Sequence, residues 1–149
     1  MKLSDDTGGA SDDTASYDCK AGYSSVAVDS VVFDEFTLDG LTVQPTADWI
    51  CATSDRLAVE LGYTAGGTSG VLYVTLSEEG IFDLQDAAVT QLLMTAGDVT
   101  FVASDFYVGT VGFTTADTLD AVDATLYGEA TQGTRQLILS VRWRLPLPD

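Results

Sequence analysis

Residues 56–76 read RLAVELGYTAGGTSGVLYVTL. Leu57, Val59, Leu61 and Tyr63 alternate with Ala58, Glu60, Gly62 and Thr64, and beyond a glycine-rich break Leu72, Val74 and Leu76 alternate with Tyr73 and Thr75. A period of two belongs to extended backbone, where successive side chains leave opposite sides. Two such runs joined through Gly66-Gly67 predict a β-hairpin with one buried face and one mixed face.

The same pattern continues on both sides of the hairpin. Upstream, SVAVDSVVFDEFTL (25–38) and LTV (41–43) are short β-branched and aromatic runs, broken at Asp39-Gly40 and stopped by Pro45. Downstream come VTFVA (99–103), DFYVGTVGF (105–113) and LDAVDATLYGEA (119–130). The final run, RQLILSVRWRL (135–145), puts Leu137, Leu139, Val141, Trp143 and Leu145 on one face and Gln136, Ile138, Ser140, Arg142 and Arg144 on the other. Pro146 and Pro148 end it, and Trp143 is expected in the core.

One segment breaks the pattern. In DLQDAAVTQLLMTAG (83–97), Leu84, Ala88, Leu92 and Ala96 fall four apart, with Val89 and Leu93 widening the stripe. Asp83 suits an N-cap, Asp86 the first turn and Gly97 the C′ position, so the spacing predicts one short helix. About eight strands and a single helix predict an all-β fold: one antiparallel β-sandwich or jelly-roll-like domain over residues 23–149. Residues 1–22 repeat SDDT and hold only Met1, Leu3 and Tyr17 as sizeable apolar groups. Such a segment cannot offset ordering costs of about 1–2 kcal/mol per residue, and it is expected to be a flexible, extended N-terminal arm.

Charge narrows the function. The chain carries 23 acidic residues, 18 of them Asp, against 6 basic ones and no histidine, a net charge of −17. That balance argues against nucleic-acid phosphate and against anionic membrane as partners, and it keeps a surface hydrated in high salt. No apolar stretch follows Lys2 and Leu3, as a secretory signal would require, so synthesis in a cytoplasm is expected. Cys19 and Cys51 are then expected as free thiols.

Catalytic and metal patterns fail on context. Asp6-Thr7-Gly8 spells the D-T-G of aspartic proteases, yet it follows a polar tail instead of an apolar strand, and no second D-T-G faces it. The Asp5/Asp6 and Asp12/Asp13 pairs, and the loop with Asp117, Asp120 and Asp123, offer oxygens to calcium without the spacing of a calcium loop. Glu78 and Glu79 are adjacent and would point to opposite sides of a strand, which suits a hairpin end better than an acid/base pair. Without histidine there is no Ser-His-Asp or Cys-His pair, and no phosphate-loop motif occurs. The expectation is a non-enzyme with no cofactor and no metal. Trp49, Trp143, Tyr63, Tyr73 and Tyr107 would form a sugar-stacking platform only if several faced outward. Arg142 and Arg144, two of the six basic residues, sit together on the polar side of the last strand. They meet acidic groups either of a neighbouring subunit or of this chain.

The stretch DRLAVELGYTAGGTSGVLYVTL (55–76), with the Thr-, Gly- and Val-rich strands ending in TQGTRQLILSVRWRLPLP (131–148), resembles the small β-sandwich accessory proteins of tailed viruses. The resemblance covers most of residues 23–148 and carries no diagnostic motif, so no functional residue transfers with it. It implies a virion structural protein, a capsid decoration, cement or head-tail completion subunit, whose partners are other virion proteins and copies of itself. On that reading Leu3, Tyr17, Arg142 and Arg144 are the candidate partner-binding residues. The alternative is a carbohydrate- or cell-surface-binding sandwich, for example on a viral fibre.

Overall fold

The computed structural model describes residues 18–147. They form β1 (Tyr23–Val26), β2 (Val32–Leu38), β3 (Leu41–Thr42), β4 (Thr46–Thr53), β5 (Ala58–Ala65), β6 (Thr68–Leu76), β7 (Gly80–Asp83), β8 (Val89–Ala96), β9 (Val99–Val102), β10 (Phe106–Thr115), β11 (Ala121–Gln132) and β12 (Arg135–Pro146). Sheet I has the order β9-β8-β6-β5-β4-β1 and sheet II the order β3-β2-β12-β11-β10-β7. Every pairing is antiparallel. The all-β sandwich is therefore as the sequence predicts. The meanders β4-β5-β6 and β10-β11-β12 build each sheet from sequential hairpins.

The hairpin that opened the reading is β5 and β6, with Ala65 paired to Thr68 around Gly66 and Gly67. Both glycines have positive φ, 55° and 85°, the pair of left-handed residues that lets a two-residue turn follow the twist of its strands. The core lies between the sheets. Leu61, Leu72 and Met94 come from sheet I, and Phe113, Leu139, Val141 and Trp143 from sheet II, all fully or almost fully buried. Trp143 meets Phe113 edge-on at 5.7 Å, and Tyr63 crosses from sheet I to lie 5.5 Å from Phe36 and 5.9 Å from Phe33.

Two expectations are corrected. Residues 83–97 form no helix; they make a turn followed by β8. Positions 84, 88, 92 and 96 lie four apart, but four is also twice two, and Leu92, Met94 and Ala96 are the inward residues of a strand. The apparent cap residues serve turns instead: Asp83 accepts from the Gln85 amide at 2.9 Å and Asp86 from the Ala88 amide at 2.9 Å. The cysteines are not free thiols, since Cys19 and Cys51 form a disulfide. The Cys19–Cys51 bond and the Lys20–Glu60 ion pair attach residues 19 and 20, which precede β1, to sheet I.

Strict alternation is interrupted at four register shifts, in β2, β4, β8 and β10. Each inserts one residue, so two consecutive side chains leave the sheet on the outer side. In β2, Phe33 and Phe36 both face inward although they are three apart, because Asp34 and Glu35 both face out. In β10, Phe106 is buried and Tyr107 and Val108 are exposed. In β4, Ala47 pairs with Tyr63 and Trp49 with Gly62, which leaves Asp48 as the extra residue. The bulges decide what the two outer faces display.

Candidate functional sites on the outer faces

Among the described residues, none is laid across the outer face of sheet II. Arg142 and Arg144 lie on it and pair within the chain: Arg142 Nε and Nη2 donate to Asp34 at 2.7 and 3.1 Å, and Arg144 Nε and Nη2 to Asp123 at 2.6 and 3.0 Å. The bulge in β2 is what turns Asp34 toward Arg142. Each guanidinium holds its aspartate below the ordinary carboxylate range, chiefly through these two-point hydrogen bonds. Of the two partners open at the sequence level, the intramolecular one is present. Leu3 and Tyr17 lie outside the described residues.

Beside the arginines stands a cluster the sequence reading did not assemble. Tyr107 donates to Glu129 Oε1 at 3.1 Å and Tyr127 donates to Oε2 of the same carboxylate. The bond to Glu129 is the main reason both phenols ionise late, Tyr127 being pushed up to about 12. Tyr107 is 64% exposed, and Ile81, on outermost β7, is 73% exposed over Gly112. Val108 and Val32 add exposed aliphatic surface.

On sheet I the outer sides of β4 and β5 are tied to residues 19 and 20 of the chain itself. Cys19 is bonded to Cys51 on β4, and Lys20 Nζ lies 2.6 Å from Glu60 Oε2 on β5, an ion pair by distance that lacks hydrogen-bond alignment. The ammonium also sits 4.8 Å from the Tyr23 ring centroid and 5.5 Å from that of Tyr73. Glu60 is only 4% exposed. Alternation alone makes this side of β5 a mixed face; beneath residues 19 and 20, Ala58, Glu60 and Gly62 are buried.

Farther along sheet I, Trp49 occupies the space over Gly62 where a side chain would stand: a Cβ there would lie 2.2 Å from its Cε2 and Nε1. Asp48, Trp49, Tyr63, Ser69, Gly70, Val71 and Thr95 line a cleft of about 330 Å³. The five aromatics considered as a platform are dispersed. Trp143 and Tyr63 are core, Trp49 and Tyr73 belong to sheet I, and Tyr107 to sheet II.

Of the acidic positions weighed for chemistry, Glu79, Asp120 and Asp123 have structural partners, while Asp5, Asp6, Asp12 and Asp13 lie outside the described residues. Glu79 accepts from the Thr115 amide at 3.0 Å and hydroxyl at 2.6 Å, tying the β6–β7 turn to β10. Asp120 accepts from Thr118, and Asp123 is held by Arg144. Among the described residues, no group of three or more Asp, Glu, His or Cys is placed to hold a metal ion, and no helix is long and apolar enough to cross a membrane. Compared with known proteins, the chain matches no family model, no curated protein and no solved structure.

Proposed function

We propose that this chain is a non-enzymatic accessory subunit of a virion, a decoration or cement protein that docks on neighbouring structural proteins through the outer face of sheet II. The observation that carries the docking role is that face itself: six strands on which no layer of the described residues is laid, bearing Tyr107, Tyr127, Ile81 and Val108 beside two Arg–Asp pairs. Tyrosine and arginine are enriched at the centres of protein interfaces because each combines a large contact area with a polar end. Prior pairing of Arg142 and Arg144 means that docking need not bury a bare charge. The virion setting rests on the resemblance of residues 55–76 and 131–148, and a disulfide-bonded domain suits a virion surface. The charge of −17 favours an unlike, neutral or basic neighbour over a bare copy of the same face.

The test is co-expression with the structural proteins encoded beside its gene, followed by sedimentation of the particles. The chain is expected in the particle fraction at fixed stoichiometry. Replacing Tyr107 and Tyr127 by Ala is expected to lower incorporation at least about tenfold, a loss of some 1.4 kcal/mol or more, with the melting curve of the isolated domain unchanged. Absence from the particles, or full incorporation of the double variant, overturns the docking role.

A further inference from the structure

Docking through the outer face of sheet II would take Glu129 out of water. The bulge in β10 seats Tyr107 and Val108 on the outer side together, so that Tyr107 reaches Glu129 on β11, and Tyr127 reaches it from two residues back on the same strand. One carboxylate thus accepts a phenol on each oxygen, and each oxygen keeps a further lone pair. In the register of the sheet, Glu129 stands between exposed Val108 on β10 and half-buried Ile138 on β12. Its surround is therefore apolar and aromatic, and its charge has no counterpart in it. Among the described residues all five cations are engaged elsewhere, four in ion pairs with other carboxylates and Arg56 with the Thr53 and Pro146 carbonyls. Burying a carboxylate without a cation is strongly unfavourable, and two phenol hydrogen bonds offset only part of that.

We propose that the neighbour covers Glu129 with an arginine side chain set among apolar residues. This rests on the docking role proposed above and names the chemistry of its anchor. A guanidinium is planar, donates two parallel N–H groups to one carboxylate and packs its faces on aromatic rings. Glu129 offers the two oxygens, and the rings of Tyr107 and Tyr127 end on them through their hydroxyls. Other occupants fit less well. An ammonium supplies the charge without the two-point fit or the stacking. A quaternary ammonium donates no hydrogen bond to the remaining lone pairs. A metal ion lacks ligands, since among the described residues no three Asp, Glu, His or Cys groups converge. A second copy of the same face brings only arginines that Asp34 and Asp123 already hold, so the anchor belongs to an unlike chain.

Peptide titrations of the full chain, followed by NMR, test the anchor directly. The probes are acetyl-Leu-Arg-Leu-amide and its counterparts with lysine or with citrulline, the neutral isostere of arginine, each to about 20 mM at low salt. The arginine peptide is expected to saturate in the millimolar range with shifts centred on Tyr107, Tyr127, Glu129 and Ile138. It should bind at least about threefold tighter than the lysine peptide and about tenfold tighter than the citrulline peptide. Glu129→Gln keeps the size of the side chain and should weaken the arginine peptide about tenfold, with the melting curve unchanged. No saturation by the arginine peptide, shifts spread over other acidic loops, indifference to Glu129→Gln, or binding of lysine or citrulline as tight as that of arginine overturns the anchor. In the particle assay Glu129→Gln is expected to lower incorporation about tenfold. Incorporation that falls with Tyr107→Ala and Tyr127→Ala but not with Glu129→Gln overturns the anchor and leaves the docking role standing. Arginine-selective peptide binding by a chain that never joins particles upholds the anchor and overturns the virion setting.

Discussion

The sandwich has two outer faces built from the same materials and finished differently. On sheet I a short segment before β1 is stitched down by the Cys19–Cys51 bond and by Lys20, so that Glu60 and its neighbours become interior. On sheet II nothing in residues 18–147 is laid across β10, β11 and β12, and Arg142 and Arg144 are neutralised in the plane of the sheet. The comparison teaches that an antiparallel sheet can have its second side completed by its own chain or kept for another molecule. The choice is made by a tether, a few residues long, and not by the hydrophobicity of the strands beneath.

The largest expected effect comes from cutting that tether. The disulfide closes 32 residues, and the chain-entropy estimate for such a loop is about 3–4 kcal/mol. Cys19→Ser with Cys51→Ser should therefore lower the unfolding free energy by that amount, and with it the denaturation midpoint, and abolish the sensitivity of the midpoint to reductant. An unchanged midpoint would mean that the cover of sheet I holds without its bond.

Next in size is a matched pair of glycines, one on each outer face. At Gly62 a Cβ would stand 2.2 Å from the Trp49 ring, and Gly62→Ala is expected to cost about 1–3 kcal/mol as the indole is displaced. At Gly112 the nearest atom is Cγ1 of the exposed Ile81, at 3.1 Å, and Gly112→Ala should stay within about 0.5 kcal/mol. Equal losses at both positions would erase the distinction between a finished face and an open one.

Removing the charge over sheet I is a smaller intervention. Lys20→Met strands a buried carboxylate, and because Lys20 is itself 55% exposed the loss is put at about 1–2 kcal/mol, below that of a fully buried pair. Its close approach to the Glu60 carboxylate is the main cause of a raised lysine pKa. A raised cation stabilises the fold below the ordinary lysine value of 10.5, and the contribution disappears as pH climbs through the higher folded value. The alkaline limb of a pH–melting profile should steepen above 10.5 in the parent chain and flatten in Lys20→Met.

The smallest effect is expected on sheet II. Arg142→Gln with Arg144→Gln removes two exposed pairs and should leave the melting temperature of the isolated domain nearly unchanged at neutral pH. Asp34 and Asp123 have lowered pKa values, so their contribution is present above the ordinary value of 3.8 and fades as pH falls through the lower folded values. Melting curves taken below pH 3.8 should show the parent chain losing an increment that the double variant never had. A marked drop in melting temperature at neutral pH would assign the arginines to the fold and remove them from the docking face.

Most of the sandwich was legible because alternation is a local property. Residues 56–76 and 135–145 display it without interruption, and their inward residues are those the spacing names. The turn and strand at 83–96 were misread because a spacing of four satisfies both periods. Met94, inward, and the β-branched Val89, Thr90 and Thr95 were the available signals for a strand. The bulges left a subtler trace. Phe33 and Phe36, and likewise Ala47 and Ile50, are apolar residues three apart inside a run that is otherwise extended. That spacing fits neither period of a simple strand and marks the extra residue between. What could not be read was anything set by distant pairing: Cys19 with Cys51, Lys20 with Glu60, and Tyr107 with Tyr127 around Glu129. Those groups meet only after register and sheet order are fixed.

The lengths of the strands have a consequence for crowding. Among the described residues, the four strands at the rims of the sheets, β1, β3, β7 and β9, have 4, 2, 4 and 4 residues, while the strands between them run from 7 to 12. A rim that short offers a second chain few consecutive amides and carbonyls to copy, so it is a poor template for growth strand by strand. Where two-residue β3 leaves β2 bare, the bulge at Asp34 breaks the line and the Gln44 side chain donates to the Phe33 carbonyl at 3.2 Å. Copies of this protein packed at high density should therefore meet face to face through side chains, and resist the edgewise zipping that ends in aggregation.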